Sequence, residues 1–242
     1  MGIDLPASAA ALAQRWNFQP LEELEHGWCS KVYADETRVL KCPWRGEEMT
    51  SGYRAAVEMS GWFGPEILES DEPTGTILME RVLPGTQLSD MRTSEDHDRE
   101  LAAKLIEKQN ARMKPDGYPT LRDYYRIQHP LLAQLLATSP EPVFLHGDLH
   151  HFNILWSDSR SDWSVIDPKG LQGDPCHEAI AFMRNIVPKD ETLNDLIQSR
   201  LDFFHRRLGF DKWRMAAWGY VDQVDSGEDI NKDLADVYES SI

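Results

Sequence analysis

Residues 144–175 read FLHGDLHHFNILWSDSRSDWSVIDPKGLQGDP. Val143-Phe144-Leu145 is a short apolar run that ends at His146, which suits a strand delivering the chain into a polar loop. Asp148 and Asn153 bracket that loop. Asn153-Ile154-Leu155-Trp156 and Trp163-Ser164-Val165-Ile166 read as the two arms of a hairpin, because residues 157–162 between them are all turn-forming or charged. Ile166-Asp167-Pro168 follows the second arm. Three oxygen-bearing side chains, Asp148, Asn153 and Asp167, are therefore gathered at the ends of one hairpin. Beyond them Asp174-Pro175 opens a helix, with Asp as N-cap and Pro at the first helical position.

That trio has a chemistry. Phosphoryl transfer from a nucleotide needs one carboxylate to orient an acceptor hydroxyl and take its proton. It also needs hard oxygen ligands to hold Mg²⁺ against the phosphates, and an amide with a second carboxylate suffices. The spacing D-x-x-x-x-N, followed by a strand and another Asp, matches the catalytic and metal loops of protein-kinase-like folds. The expected roles are Asp148 as catalytic carboxylate and Asn153 with Asp167 as Mg²⁺ ligands. His146 reads as a brace of the loop backbone. The string H-x-D-x-H in HGDLHH also admits a metallohydrolase reading, which leaves Asp167-Pro168-Lys169-Gly170 and Lys41 without a purpose.

Working outward, the chain changes character near Pro84, so we expect two parts, residues 1–83 and 84–242. The first is rich in β-type runs: 21–28, 31–34, 38–41, 67–68 and 75–82, with a tight turn at Asp35-Glu36-Thr37. A helix is expected over 47–60, with Gly61 just past its end, and Pro84-Gly85 breaks the chain. The second part carries helical periodicity over 94–112 and 130–136, and again after Asp174 to the end.

The segment 144–175 resembles the aminoglycoside phosphotransferase family. Within it, HGDLHH…N followed by IDPKG…GDP is similar to the streptomycin 6-phosphotransferase and hydroxyurea phosphotransferase branch. The resemblance runs from about residue 21 to about residue 235. It implies an α+β, bilobal protein-kinase-like fold, with a small β-rich N-lobe, a larger helical C-lobe and ATP bound between them. It implies ATP and Mg²⁺ as cofactors. Lys41 matches the strand lysine at the α- and β-phosphates, and Glu48 its helix partner, with Glu47 as rival. Ser30 stands where a serine assists at the phosphates. Glu80 and Val82 match the backbone positions that bind the adenine edge. There are departures. The loop His26-Gly27-Trp28-Cys29-Ser30 has one glycine, Glu178 stands where the family usually has aspartate, and 84–142 is trimmed.

Charge bounds the partners. Asp and Glu number 41 against 25 Lys and Arg, giving a formal net charge of −16. Such a field repels nucleic acid and anionic membranes and attracts cations. The expected partner is a small-molecule hydroxyl substrate, cationic if it is an aminoglycoside such as streptomycin. The chain itself is expected as monomer or homodimer. The acids Asp222, Asp225, Glu228 and Asp229 read equally as a cation pocket or a solvated loop, and Lys169 as a ligand contact or a loop lysine. Three cysteines without a CxxC pair, an N-terminus without a basic leader and no long apolar run suit a cytoplasmic protein. Two other functions stay open: a kinase of a sugar, amino alcohol or other metabolite, and a nucleotide-binding pseudokinase acting through a partner.

Overall fold

Alternating side chains build the first sheet, in which successive residues face opposite sides. The computed structural model describes residues 5–24, 29–44, 46, 49–91, 94–185, 191–227 and 232–242. After helix α1 (Ala7–Arg15) come strands β1 (Glu22–Leu24), β2 (Ser30–Ala34) and β3 (Arg38–Pro43), helix α2 (Ser51–Glu58), and strands β4 (Ile67–Asp71) and β5 (Thr76–Glu80). The strands pair antiparallel in the order β1-β2-β3-β5-β4. Tyr33, Leu40, Cys42 and Leu78 are buried with Ala9 and Ala13 of α1 and with Phe18. The register Ser30↔Pro43 and Val32↔Lys41 puts Ser30, Val32 and Lys41 on the opposite face. The β2–β3 turn is set by Asp35, whose Oδ1 accepts from the N–H groups of Thr37 (2.9 Å) and Arg38 (2.6 Å).

Two expectations shift here. Of the strand expected over 21–28, β1 occupies Glu22–Leu24, and 25–28 lie outside the described residues. Of the helix expected over 47–60, α2 covers Ser51–Glu58, and Glu47 and Glu48 lie outside the described residues.

The chain does not divide simply at Pro84. Strand β6 (Pro84–Gln87) follows, and later strands β8 (Ile154–Ser157) and β9 (Asp162–Val165) join it in the order β6-β8-β9. Packing gives one unit of Met1–Gln87 with Asn153–Gly170, and a second of Leu88–Phe152 with Leu171–Ile242. The hairpin, read from sequence as part of the helical half, thus packs with the sheet-rich unit. The cause is local: β6 pairs with β8, and the Val165 N–H donates to the Phe63 carbonyl (2.8 Å).

In the second unit are helices α3 (Leu88–Met91), α4 (Glu95–Asn110), α5 (Leu121–Tyr124) and α6 (Pro130–Ala137). Strand β7 (Val143–Leu145) pairs antiparallel with β10 (Leu171–Gly173), so the strands on either side of the hairpin meet each other. Asp174 caps the expected helix, which begins as a 3-10 helix, Pro175–Ala179; α7 (Ile180–Arg184) continues from it. Helices α8 (Leu193–Leu208), α9 (Lys212–Asp225) and α10 (Lys232–Glu239) complete the unit. Ser94, Thr192 and Asp211 cap α4, α8 and α9 by accepting N–H bonds with their side chains, and Gly209 in the left-handed region ends α8. The Tyr238 ring of α10 lies over Gly219 of α9, where a Cβ would come within 2.5 Å of it. Among the described residues no helix is long and apolar enough to cross a membrane.

Candidate active site

In the first unit, the hairpin fixes both expected metal ligands. Ile154 pairs with Val165, and the Ile166 N–H donates to the Asn153 carbonyl (2.9 Å), so Asn153 enters β8 where residues 166–167 leave β9. Asp167 has φ 65°, in the left-handed region that aspartate enters more readily than most non-glycine residues. Contacts hold it on both sides. The Asp167 carboxylate is ion-paired with Lys41 Nζ of β3. Two residues on, the Lys169 carbonyl accepts a hydrogen bond from Ser51 Oγ (2.8 Å) at the start of α2. Gly170, at φ +65°, lies against the Ser51 carbonyl so closely that any Cβ would collide with it.

Of the expected nucleotide contacts, Ser30 and Glu80 lie in the sheet that carries Lys41, and Val82 lies just past it. The N–H of Glu80, the last residue of β5, donates to the Glu66 carbonyl (2.8 Å). The Glu80 carboxylate accepts from the Glu66 N–H (3.0 Å) and from Arg160 of the hairpin turn. Val82 follows, half-buried, before the turn at Gly85. Ser30 is almost fully buried, at 3% exposure, two positions along β2 from the residue that faces Lys41. Lys41, Asp167 and Asn153 are therefore brought together in one unit, with Ser30 and Glu80 elsewhere on the sheet that carries Lys41 and Val82 just past its strand β5. Glu48 and its rival Glu47 lie outside the described residues.

Asp148 belongs to the second unit. Its N–H donates to Nδ1 of the fully buried His146 (3.2 Å), the backbone brace expected of that histidine. Leu149 and His151 point inward, the latter stacked on Phe182 at 4.2 Å between centroids, while His150 Nε2 lies 3.7 Å from the Asp148 carboxylate. Arg184 of α7 donates through Nη2 to Asp148 Oδ1 (3.4 Å) and through Nη1 to Asp222 of α9. Burial works against the arginine's charge, but Asp222 and Asp148 outweigh it and hold its pKa above the ordinary value.

Beneath this loop is a second carboxyl group. Glu178, in the 3-10 helix, is 2% exposed and faces the backbone of His146 and Gly147 and the side chain of Gln109, without a hydrogen bond of good geometry. Burial dominates and pushes its pKa up to about 8; the neighbouring Asp148 charge adds to the rise. A glutamate is one methylene longer than the aspartate usual at this place.

Mg²⁺ fits the donor set rather than a preformed cage. Among the described residues no three His, Cys, Asp or Glu groups gather to hold a metal. A carboxylate and an amide at the ends of one hairpin are the two hard protein ligands that a phosphate-bound Mg²⁺ accepts.

Sequence reading missed Arg184. Its signal was a cation closing the apolar run Ile180-Ala181-Phe182-Met183. In the acidic cluster, two residues have partners of their own. Asp222 is bound to Arg184, and Asp225 accepts from the N–H groups of Arg126 and Ile127 (3.0 Å each), while Glu228 and Asp229 lie outside the described residues. Asp174 is fully buried and bonds Arg214 Nε (2.7 Å) and Trp218 Nε1 (2.9 Å), so besides capping it ties the 3-10 helix to α9.

Residues 108–233, just over half of the chain, match the model of a family described as aminoglycoside/hydroxyurea antibiotic resistance kinase. A hydroxyurea phosphotransferase from Kitasatospora aureofaciens is 28% identical over a 250-residue alignment covering 88% of this chain and 69% of that protein. A streptomycin 3''-kinase from Klebsiella pneumoniae is 28% identical over 193 residues, covering 69% and 70%. Among solved structures, a thermostable mutant of aminoglycoside phosphotransferase APH(4)-Ia, in ternary complex with ADP and hygromycin B, superimposes with a TM-score of 0.61. It is 17% identical and covers 98% of this chain and 96% of that one. Choline kinase LicA from Streptococcus pneumoniae superimposes with a TM-score of 0.61 at 12% identity, with 96% of both chains covered. At these identities the structures speak for the fold alone, which is protein-kinase-like.

Proposed function

Because the chain belongs to the aminoglycoside/hydroxyurea antibiotic resistance kinase family and is thus a small-molecule kinase, we propose that it transfers the γ-phosphate of ATP, with Mg²⁺, to a hydroxyl of an aminoglycoside such as streptomycin. The observation that carries this reading is Asp167: a left-handed carboxylate residue, ion-paired to the strand lysine Lys41, at the foot of the hairpin that begins with Asn153.

The chain's own groups take the following parts. Lys41 contacts the phosphates, and Ser30 assists from the same face of the sheet. Asn153 and Asp167 hold Mg²⁺, which, when bound, draws charge from the phosphate oxygens. The Lys41–Asp167 ion pair keeps the phosphate-contacting cation beside the metal-holding carboxylate. At the adenine edge the N–H of Glu80 is already bonded to Glu66, so contact there falls to the Glu80 carbonyl, with the Val82 N–H as donor. Glu48 is assigned to pair with Lys41 by resemblance. Asp148 orients the acceptor hydroxyl and accepts its proton as the new O–P bond forms and the bond from the γ-phosphorus to the β,γ-bridging oxygen breaks, releasing ADP. Catalysis then rests on positioning and electrostatics.

A second reading, with a small acceptor of little or no positive charge, has its own support. Asp222 is held by Arg184 and Asp225 by two backbone N–H groups, so neither carboxylate is left over as a ready-made cation site. ADP release with ATP and a panel of streptomycin, hygromycin B, hydroxyurea, choline and glucose separates the readings. Turnover with the aminoglycosides alone supports the first; turnover with hydroxyurea, choline or glucose alone supports the second. ATP binding without ADP release for any acceptor would leave the pseudokinase reading.

A further inference from the structure

The backbone that carries Arg184 is fixed from behind. Arg200, fully buried on α8, donates through Nη1 to the carbonyls of Phe182 (2.9 Å), Met183 (2.7 Å) and Asn185 (2.9 Å). It is itself held by Glu95 through Nε (2.6 Å) and Nη2 (2.9 Å), and its guanidinium lies 4.9 Å from the centroid of the Phe182 ring. A buried cation with this many charge-assisted bonds fixes the end of α7. From there Arg184 divides its fork, one arm on Asp222 and the other on Asp148. A guanidinium presents such donors in fixed directions, whereas an ammonium is a point charge. With the cation withdrawn, two carboxylates would be left without it, and the pKa of at least one would rise.

Resting on the assignment of Asp148 as the acceptor-orienting base, we infer that Arg184 is its positioning residue: anchored on Asp222, it holds the Asp148 carboxylate ionised and fixed in rotamer. The contact to Asp148 is long, at 3.4 Å. Such a contact suits a base that must exchange partners when an acceptor hydroxyl arrives. Other groups of this unit act on the same charge. His150 approaches it at 3.7 Å, and His146 accepts from its N–H. Glu178 faces it from the 3-10 helix, Asp222 lies beyond Arg184 on α9, and Tyr124, Tyr125 and Tyr238 from α5 and α10 act on the Arg184–Asp222 pair. Asp222 opposes ionisation of Asp148, Glu178 joins it only once it has lost its proton above about pH 8, and Arg184 opposes them.

The test is a carboxyl NMR titration of the full chain, isotope-labelled at aspartate Cγ, with the Asp148 signal identified by its loss in Asp148→Asn. In Arg184→Gln the Asp148 titration midpoint is expected to rise by about one pH unit or more, with a smaller rise in Arg184→Lys. With ATP and either streptomycin or hydroxyurea, kcat of Arg184→Gln at pH 7 should fall at least about tenfold through lost positioning, with the KM for ATP within about twofold, and the acid limb of its pH profile should move up with the Asp148 midpoint. An unchanged midpoint in both variants overturns the inference. If wild type phosphorylates neither acceptor, the function proposed for those acceptors fails, while the titration still decides the hold on Asp148. Should Arg184→Gln lose its near-ultraviolet dichroism, Arg184→Lys decides, since a midpoint equal to wild type there overturns the inference.

Discussion

Lys41 and Asp167 lie 126 positions apart in the chain and meet as an ion pair. Each was legible from its own neighbourhood: a lysine on a β-type run, an aspartate after a hairpin. Their contact was not, because it depends on how β9 and β3 pack. Arg184 was illegible for a related reason, since its carboxylate partners come from a loop and from α9. Lys41→Met should lower kcat/KM for ATP by about a hundredfold or more, measured by ADP release, if the lysine stabilises charge on the phosphates. Removing divalent metal with a chelator should abolish turnover, and Mg²⁺ should restore it; turnover that survives chelation would remove Asn153 and Asp167 from the role proposed. Glu178 makes a prediction with a definite sign. Its folded-state pKa is about 8 against an ordinary 4.5, so between those values the folded protein binds a proton that the unfolded chain does not. Its contribution to stability is therefore complete below about pH 4.5, declines as pH rises through that window and is lost above about 8. Urea midpoints against pH should show that decline in wild type and a flatter profile in Glu178→Gln.

At the scale of elements, the β8–β9 hairpin was readable because its turn is made of Ser, Asp and Arg and its arms of aliphatic and aromatic residues. β2, β3, α4 and α6 were readable on the same grounds of alternation, caps and period. What sequence misplaced was the hairpin's partner. Pro84-Gly85 reads as a break, yet the chain resumes pairing at once as β6, and β6 carries the hairpin into the sheet-rich unit. Local chemistry specifies a turn, whereas strand pairing is settled by what lies across the sheet. The loop after the hairpin depends on one close approach, that of Gly170 to α2. Gly170→Ala should cost about 2 kcal/mol or more, from the left-handed backbone together with the collision at Ser51. The urea midpoint reads that cost, and ATP binding should weaken in parallel, since the same loop presents Asp167. A midpoint equal to wild type would contradict the clamp described here.

Across the whole molecule the net charge of −16 sets the field an acceptor meets. For a cationic acceptor KM should rise from about 0.01 M to about 1 M salt, where the screening length falls from about 30 to about 3 Å, and it should rise more than for an uncharged acceptor. Equal salt dependence would place the acceptor site outside that field. The measurement that most directly tests phosphoryl transfer is made on the acceptor. Wild type and Asp148→Ala are incubated with Mg²⁺ and ATP labelled in its γ-phosphate, together with streptomycin or hydroxyurea, and the acceptor is recovered for mass analysis. The account predicts that wild type yields at least one of the two bearing a single labelled phosphoryl group, and that Asp148→Ala yields none above background. Unmodified acceptors from wild type, or equal labelling by Asp148→Ala, would contradict it.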